Sequence, residues 1–296
     1  MYDVIIIGGG CAGLTAALYA ARSGLSVLVI EQESVGGQIA SAPLVENFPA
    51  VRSISGAEFA NGLFEQVMEL GVDFELERVC RVENGEVKRV YTEYDLFEAR
   101  ALIIATGAKH RHLGLENEDR LLGHGVSYCA VCDGAFFKGG TAVVVGGGES
   151  AAGAVEFLAG LCEKVYLVHR RKLFRFADSL LERLKELVNV EIITDMSVSA
   201  LIGEDKLEAV TLSDGSRLDT DALFVCVGQV PDNALFGGFA ELDEDGYVMA
   251  DEDCKSSADG VFAAGDCRTK ALRQLVTAAA DGAVAAQNAL NYLRNQ

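Results

Sequence analysis

The chain is short of positive charge. Its 296 residues include 25 lysines and arginines against 44 aspartates and glutamates, which gives a formal charge of −19 and a pI near 4.6. Nucleic acids and anionic membrane surfaces both select for basic patches. This charge balance argues against either as a partner, and any phosphate-binding cations have to be local exceptions.

Long apolar runs are also missing. No stretch of about 18 apolar residues runs without glycine or charge, so no segment is expected to span a membrane. The apolar run at the N-terminus stops at Gly8 and has no basic lead, which is typical of a buried strand and not of a signal peptide. We therefore expect a soluble cytoplasmic protein.

Histidines are few, and only one pair of cysteines has a spacing that carries chemistry. A structural zinc site needs four ligands, usually from a second CxxC pair or from closely spaced histidines. Neither accompanies Cys129 and Cys132, so no metal is expected. The other six cysteines lie scattered in apolar or glycine-rich segments and are predicted to be reduced core residues. A small disulfide and simple core packing remain open for the pair.

One pattern occurs twice along the chain. Val4 to Ile7 is an apolar β-branched run followed by a glycine-rich turn, a helical stretch and a second strand from Ser26 to Ile30. The same order returns from Ala142 through a second glycine-rich turn to a strand from Lys164 to Val168. Strand, turn, helix and strand in about 30 residues is the dinucleotide-binding βαβ unit. Two such copies predict two nucleotide-binding units.

The glycines of each turn have separate roles. The first of each set allows a tight turn, the second lets a pyrophosphate approach the helix N-terminus, and the third position permits close contact between helix and strand. The residues in these three roles are Gly8 and Gly146, Gly10 and Gly148, and Gly13 and Ala151.

The two units differ at the residue that would contact the ribose. Glu31 ends the second strand of the first unit, and a carboxylate there suits an unphosphorylated ribose, as in FAD or NAD. His169 holds the equivalent position in the second unit and is followed by Arg170, Arg171 and Arg175. This basic cluster predicts a 2′-phosphate, the group that separates NADP from NAD.

With these residues in view, the chain resembles the low-molecular-weight thioredoxin reductases over almost its full length. The motifs that carry the resemblance are Gly8–Gly13, Gly36-Gly37-Gln38, Glu46-Asn47-Phe48-Pro49, Ala105-Thr106-Gly107-Ala108, Cys129-Ala130-Val131-Cys132-Asp133-Gly134, His169–Arg175, Gly260–Asp266 and Arg273–Ala279.

The resemblance implies an α/β fold with two Rossmann-like dinucleotide-binding domains, the second inserted into the first. Residues 1–109 and 235–296 would form an FAD domain, and residues 110–234 an NADPH domain carrying the CxxC pair. It also implies a homodimer with thioredoxin as its partner.

Cofactor contacts are carried over in the same way. For FAD, beyond the first glycine turn and Glu31, the resemblance implies contacts at Gly37, Gln38, Asn47, Gly107, Asp266, Arg273, Gln274 and Leu275. The segment from Arg273 would open the C-terminal helix, whose positive dipole end can stabilise a reduced flavin. For NADPH it implies Gly146, Gly148, Ser150 and Ala151 together with the basic cluster.

Two nucleotide folds give a dithiol something to exchange electrons with, so the expected state of Cys129 and Cys132 is a redox-active disulfide. Asp133 resembles the family's acid that protonates a leaving thiolate, although a turn-capping role would explain it too. Phe136 and Phe137 would join the surface that receives thioredoxin, with core packing as the rival role for Phe137.

The expected function is NADPH-dependent reduction of thioredoxin through FAD and the cysteine pair. Gly153 and Ala154 stand where the family carries glutamates that face the nicotinamide. A related enzyme that takes electrons from ferredoxin, or delivers them to a glutaredoxin-like or peroxiredoxin protein, or acts as a dithiol oxidase, is therefore an alternative. A non-catalytic nucleotide sensor is a third hypothesis, which the CxxC pair disfavours.

Overall fold

The computed structural model describes residues 1–42 and 44–296 and divides the chain into two compact units. Unit 1 consists of Met1–Lys109 and Val230–Gln296, and unit 2 of His110–Gln229. The resemblance had put the second joint at 234. Residues 230–234 belong instead to unit 1, where the buried Asn233 accepts a hydrogen bond from Thr106 and donates to the Cys267 carbonyl.

Seventeen strands are described, with these bounds in chain order: β1 (Tyr2–Ile7), β2 (Val27–Glu31), β3 (Asp73–Leu76), β4 (Val79–Glu83), β5 (Lys88–Thr92), β6 (Leu96–Ile104), β7 (Ala108–His110), β8 (Val126–Ser127), β9 (Thr141–Gly146), β10 (Lys164–His169), β11 (Val190–Thr194), β12 (Val198–Ile202), β13 (Ala209–Leu212), β14 (Arg217–Asp219), β15 (Ala222–Cys226), β16 (Gln229–Pro231) and β17 (Val261–Ala263).

The α-helices of the same residues are α1 (Cys11–Arg22), α2 (Gly56–Met68), α3 (Ala130–Asp133), α4 (Glu149–Ala159), α5 (Asp178–Glu186) and α6 (Leu275–Arg294). Short 3₁₀ turns cover Gly37–Ser41, Gly134–Phe137, Ala234–Phe236 and Gly265–Cys267. None of the helices in the described part of the chain is long and apolar enough to cross a membrane.

Unit 1 is built on a seven-stranded sheet in the order β3-β2-β1-β6-β5-β4, with β17 added beside β6. β1, β2, β3, β6 and β17 run parallel, and β5 is antiparallel to both β4 and β6. Successive residues of β1 enter different cores: Val4 and Ile6 lie on one face, Ile5 and Ile7 on the other. Burial on both faces explains why β1 reads as a continuous apolar run.

Helices α1 and α6 cover one face of this sheet. They approach closely because α6 is rich in alanine and places Gly282 where a Cβ atom would overlap the Ala12 carbonyl. A larger side chain at 282 would push the two helices apart.

Unit 2 repeats the same design on a smaller scale. Its main sheet has the order β11-β10-β9-β15-β8 and is parallel throughout, while β12, β13 and β14 form a separate antiparallel sheet. Val143 and Val145 pack on one face of β9, Ala142 and Val144 on the other. A two-stranded sheet pairs β16 with β7. The predicted α/β fold, with the second unit inserted into the first, is confirmed.

In both units the strand order reverses beside the first strand, between β1 and β6 and between β9 and β15. Open α/β sheets bind ligands in the crevice at such a switch point, outside the carboxyl ends of the strands. The two glycine turns lie there.

Candidate active site

The first glycine turn joins β1 to α1 with no side chain capping the helix. Gly8 has φ +112°, and a Cβ atom there would overlap the Ala105 carbonyl, so only glycine fits. Gly10 is the N-cap residue of α1 and offers no side-chain hydrogen bond to the helix N–H groups. An uncapped N-terminus with free N–H groups is suited to bind a phosphate.

Glu31 lies at the carboxyl end of β2, beside this turn, and is 9% exposed. One of its oxygens accepts the Gly9 N–H at 2.6 Å, and the other accepts the N–H groups of Gln32 and Glu33 at 2.8 and 2.9 Å. A carboxylate offers about four acceptor positions. One remains for a hydroxyl such as a ribose donates, and the backbone contacts hold the carboxylate in place.

Hydrogen bonds join segments of unit 1 that are distant in sequence, one of them at the start of α6. The exposed Gln38 donates from Nε2 to the Ala108 carbonyl, and Asn47 donates from Nδ2 to Gln274 Oε1 at 3.1 Å. Gln274 is the N-cap of α6 and forms a capping box with Thr277. Leu275, the first residue of α6, accepts the Cys11 thiol at 3.6 Å through its carbonyl. Gly37 and Gly107, with φ +57° and +67°, complete the predicted first-unit positions.

Asp266 is the most unusual group of unit 1. Its Oδ1 is buried and has no hydrogen-bond partner within the residues that the structure describes. Burial raises the pKa of this carboxyl, while Lys270 and Arg273 act in the opposite direction. Arg273 donates to the Asp266 carbonyl at 3.3 Å and stacks over Tyr247 at 4.1 Å. A buried acceptor without a donor is costly, so the site fits a ligand that supplies one.

A buried ionic network fixes the turn that carries Asp266, and we did not predict it from the sequence. Asp281 on α6 accepts the Gly265 N–H at 2.9 Å, two N–H groups of Arg268 at 2.8 and 2.9 Å, and Lys270 Nζ at 2.8 Å. Burial opposes ionisation of Asp281, but Arg268 and Lys270 outweigh it and lower the pKa. The available signal was one acid in the alanine-rich stretch after Thr277.

The second glycine turn joins β9 to α4. Gly148 is an N-cap residue without a side-chain hydrogen bond, so α4 also starts with free N–H groups. A Cβ atom on Gly146 would lie 2.7 Å from that of the buried Ala151, which shows how closely α4 approaches the end of β9. Ser150 is exposed in the first turn of the helix.

His169 ends β10 and is 8% exposed. Its ring packs on Gly147, where a Cβ atom would overlap it, and stacks on Phe174 at 4.9 Å. Its Nε2 lies 3.1 Å from the Leu173 carbonyl, so a neutral ring with the proton on Nε2 donates there. Burial, aided by the neighbouring arginines, lowers the pKa of His169. The ring is therefore uncharged at neutral pH and anchors the loop that follows it.

That loop presents arginines to solvent beside the turn. Arg170, Arg171 and Arg175 are all exposed, and no ion pair among residues 1–42 and 44–296 engages any of them. The Arg175 N–H donates to the Gly147 carbonyl at 2.7 Å, and its Nη2 would lie 3.6 Å from a Cβ atom on Gly148. Unpaired cations in so acidic a chain form a site for an anion.

The cysteine pair lies at the start of α3 in the same unit. Cys129 and Cys132 form a disulfide with their Cα atoms 5.3 Å apart, and Cys129 Sγ accepts the Cys132 N–H at 3.2 Å. Val131 and Phe136 beside it are 51% and 52% exposed. Phe137 is half-buried against Phe224, with ring centroids 5.9 Å apart, so core packing accounts for part of its surface.

Asp133 follows the pair directly. Its Oδ2 lies 2.6 Å from the hydroxyl of Ser127, a residue that no sequence motif marked as functional. Burial raises the pKa of Asp133, and the Ser127 hydrogen bond opposes that shift. An aspartate that holds its proton more readily than usual is suited to act as an acid.

The remaining cysteines have no such setting. Burial raises the pKa of the thiols of Cys11 and Cys267 to about 11 and of Cys254 to about 12, so all three are protonated at neutral pH. In the described ranges, 1–42 and 44–296, no three His, Cys, Asp or Glu side chains are arranged to hold a metal ion.

The chain is similar to known proteins over almost its whole length. The model of the pyridine nucleotide-disulphide oxidoreductase family matches residues 2–282. Thioredoxin reductase of Listeria innocua is 43% identical over 300 residues, which covers 99% of this chain and 94% of its own, and that of Bacillus subtilis is 41% identical with 99% and 95% covered. The crystal structure of thioredoxin reductase from Streptococcus pyogenes superposes with a TM-score of 0.95 at 41% identity, covering 100% of this chain and 99% of that one.

Proposed function

The chain belongs to the pyridine nucleotide-disulphide oxidoreductase family, and we propose that it is a thioredoxin-disulfide reductase that uses FAD and takes electrons from NADPH. The observation that carries the proposal is the Cys129–Cys132 disulfide on a nucleotide-binding unit. A sensor of nucleotides has no use for such a pair.

Unit 1 is the proposed FAD site. The uncapped start of α1 would bind the pyrophosphate, and the held carboxylate of Glu31 would accept the adenosine ribose. The orphaned Asp266 Oδ1 would accept a hydroxyl of the ribityl chain, while Gln38, Asn47 and the start of α6 would contact the flavin end. A bound FAD supplies two-electron transfer between a nicotinamide and a disulfide.

Unit 2 is the proposed NADPH site. The uncapped start of α4 would bind the pyrophosphate, and Arg170, Arg171 and Arg175 would bind the 2′-phosphate. His169 contributes by packing, because its ring is buried and neutral. NADH lacks the 2′-phosphate, so the arginines favour NADPH.

The chain's own residues carry the sulfur chemistry. The disulfide takes up an electron pair as its S–S bond breaks, and one of the resulting thiolates attacks the disulfide of thioredoxin. Asp133 supplies the proton that the leaving thiolate takes. Val131 and Phe136, exposed beside the pair, would contact the partner.

The electron donor has an alternative to NADPH that can be tested. Gly153 is exposed with no atom within 4 Å of an added Cβ, and Ala154 is buried at 6%. A family glutamate would therefore fit at 153 but not at 154 without rearrangement, so the nicotinamide end differs from the pattern that the resemblance implied. Reduced ferredoxin is the competing donor.

The test is the thioredoxin-dependent oxidation of NADPH by the FAD-loaded protein, with NADH and reduced ferredoxin as parallel donors. Cys129→Ser and Cys132→Ser should each abolish it, because either change removes the disulfide. Cys80→Ser is the matched control, since Cys80 is exposed and lies outside the site. Full activity in both CxxC variants, or reduction by ferredoxin alone, would refute the proposal in this form.

A cytoplasmic homodimer is part of the same proposal, as the family resemblance implies. Sedimentation equilibrium of the FAD-loaded protein would give twice the mass of the 31.4 kDa chain.

A further inference from the structure

Ser127 forms hydrogen bonds with both Cys129 and Asp133. It ends β8, where it pairs with Phe224 of β15, and is only 2% exposed. Its hydroxyl oxygen is 2.6 Å from Asp133 Oδ2, and the Cys129 N–H donates to the same oxygen at 3.0 Å. One rigid side chain thus contacts both the first cysteine and the acid.

The direction of these hydrogen bonds follows from the chemistry of a hydroxyl. It carries one proton and two lone pairs, and the Cys129 N–H uses a lone pair. The single proton has two acceptors in reach, Asp133 Oδ2 at 2.6 Å and the Cys129 carbonyl at 3.4 Å. When Asp133 is ionised, the shorter contact to its carboxylate is the stronger, so the Ser127 hydroxyl donates to Asp133.

We infer that Ser127 is a positioning residue for the proton donor: it holds the Asp133 carboxyl beside the disulfide and stabilises the carboxylate that remains once the proton has gone. This inference rests on the proposed function, because it takes Asp133 as the acid for thiolate protonation.

Reduction of the disulfide produces the thiolate that Asp133 protonates. The disulfide gains the electron pair that the proposed activity supplies, and its S–S bond breaks to give two thiolates: one remains to attack the thioredoxin disulfide, and the other is the leaving thiolate. That thiolate takes the proton of Asp133, so a thiol and a carboxylate are formed. The Ser127 hydroxyl, whose own proton stays on its oxygen, then donates a charge-assisted hydrogen bond to the carboxylate.

Ser127 is the side chain whose hydrogen bond influences the pKa of Asp133. Burial and the Ser127 hydroxyl are the two influences on the pKa of Asp133 within unit 2. The neighbouring α4 meets the turn after Asp133 with the apolar Phe157 and Leu158, and its carboxylates, Glu149 and Glu156, are exposed. On its own element, α3, the other residues are Ala130, Val131 and Cys132, and Cys132 does not titrate while it is in the disulfide.

These contacts determine the direction in which the pH dependence of the rate shifts when the Ser127 hydroxyl is removed. An acid works only while protonated, so the rate falls as pH rises through the pKa of Asp133. Ser127 stabilises the charged form, and its removal therefore raises that pKa and moves the alkaline fall in rate to higher pH. The same removal slows proton transfer at neutral pH, because the product carboxylate loses its donor.

The experiment compares the FAD-loaded wild type with Ser127→Ala, Ser127→Thr and Asp133→Asn, using thioredoxin reduction from pH 5.5 to 9.5. We expect Ser127→Ala to lower the rate about 10-fold at pH 7 and to move the alkaline fall up by about one pH unit. Ser127→Thr keeps the hydroxyl and should restore both values. Asp133→Asn should lower the rate about 100-fold and remove the alkaline fall.

Thr220→Val is the matched control, since Thr220 carries a buried hydroxyl of the same unit that bonds to the carbonyls of Thr141 and Ala222. An alkaline fall that stays at the same pH in Ser127→Ala would overturn the inference and leave Ser127 a structural residue. An unaffected rate in Asp133→Asn would instead overturn the assignment of the acid.

A spectroscopic measurement covers the case in which Ser127→Ala folds but has too little activity for a pH profile. The infrared band of the protonated Asp133 carboxyl, isolated by subtracting the Asp133→Asn spectrum, should titrate at higher pH in Ser127→Ala than in wild type, and at the wild-type pH in Ser127→Thr. Identical titration in all three would contradict the inference without reference to activity.

Discussion

The two nucleotide units use the same frame and differ in what they attach to it. In each, the middle glycine of the turn packs against the residue that ends the second strand: Gly9 against Glu31, and Gly147 against His169. An added Cβ would lie 3.1 Å from Glu31 Cβ in the first unit, whereas in the second it would overlap the His169 ring. The shared contact is steric, so the side chain at that position is free to differ chemically.

The chemical difference lies in which backbone each side chain holds. The Glu31 carboxylate accepts the Gly9 N–H and so fixes the turn itself. His169 contacts the Leu173 carbonyl and so fixes the loop that carries Arg175. In the proposed function, this position would select a ribose diol directly in unit 1, and in unit 2 it would select a phosphate through the arginines that follow.

The largest expected effect comes from removing arginines of the loop after His169 in unit 2. Arg171→Ala combined with Arg175→Ala should lower the ratio of kcat/KM for NADPH over NADH by about 100-fold, since each charge-assisted hydrogen bond is worth roughly tenfold or more. The ratio is measured in the thioredoxin-coupled assay. Arg217→Ala, which removes an exposed partner of Asp219 in the same unit, is the control. An unchanged ratio would show that these arginines do not select NADPH over NADH.

All four histidines lie in unit 2, so acid should weaken that unit in a way unit 1 does not share. Burial, with a smaller contribution from His112, lowers the pKa of His110 to about 4, whereas it is about 6.5 when unfolded. The unfolded chain then binds more protons in that interval. The stability from a neutral His110 is complete above about pH 6.5 and is lost as pH falls toward 4.

The unfolding free energy of wild type should therefore decrease between pH 7 and pH 4.5. In His110→Phe, which keeps an aromatic ring beside Tyr128, this decrease should be smaller by about 2 kcal/mol. Urea unfolding followed by circular dichroism at the two pH values measures it. His124→Phe, at an exposed position, is the control. Equal losses in wild type and His110→Phe would show that this histidine is not the acid-sensitive group.

A smaller effect is expected in unit 1 from Asp266, the buried acid whose Oδ1 has no partner within the described residues. Asp266→Ala should weaken FAD binding about 10-fold, because the cofactor loses an acceptor that the protein leaves unpaired. Titration of apoprotein with FAD measures the change, and the exposed Asp245→Ala is the control. The preference for NADPH over NADH should stay as it was. Unaltered FAD affinity would mean that the orphaned oxygen serves another purpose.

A comparison of stabilities tests the shared steric contact. Gly147→Ala should destabilise the protein by about 1–2 kcal/mol, because the His169 ring is held between Gly147 and Phe174. Gly9→Ala should cost less, about 0.5 kcal/mol, because the methylene groups of Glu31 can shift by a few tenths of an ångström. Thermal unfolding compares them. The reverse order would contradict the view of His169 as a packing residue.

The fold was predictable where sequence signals are local. The apolar runs of β1 and β9 and the glycines after them predict both βαβ units, because a strand buried on both faces needs no partner to be recognised. The insertion of one unit into the other came from the resemblance. The antiparallel strands β4, β5 and β12 to β14 escaped prediction, since edge sheets with mixed burial have a weak period.

The motifs of the candidate site could be recognised in the sequence, but the hydrogen-bond partners of their residues could not. Asp281 bonds Arg268, Asn233 bonds Thr106, and Ser127 bonds Asp133 across a turn, and no spacing rule joins such pairs. His169 read as part of a charge cluster, yet burial against a glycine keeps it neutral. Sequence specifies which groups are present, while their protonation depends on tertiary packing.

The central claim is that electrons from NADPH pass through a flavin to the Cys129–Cys132 disulfide. Its most direct test is an anaerobic titration of the FAD-loaded protein with NADPH, comparing wild type with the double variant Cys129→Ser and Cys132→Ser. The flavin and the disulfide each take up an electron pair, so wild type should consume about twice as much NADPH as the variant before the flavin stays reduced. Equal consumption by the two proteins would show that the disulfide is not in the electron path.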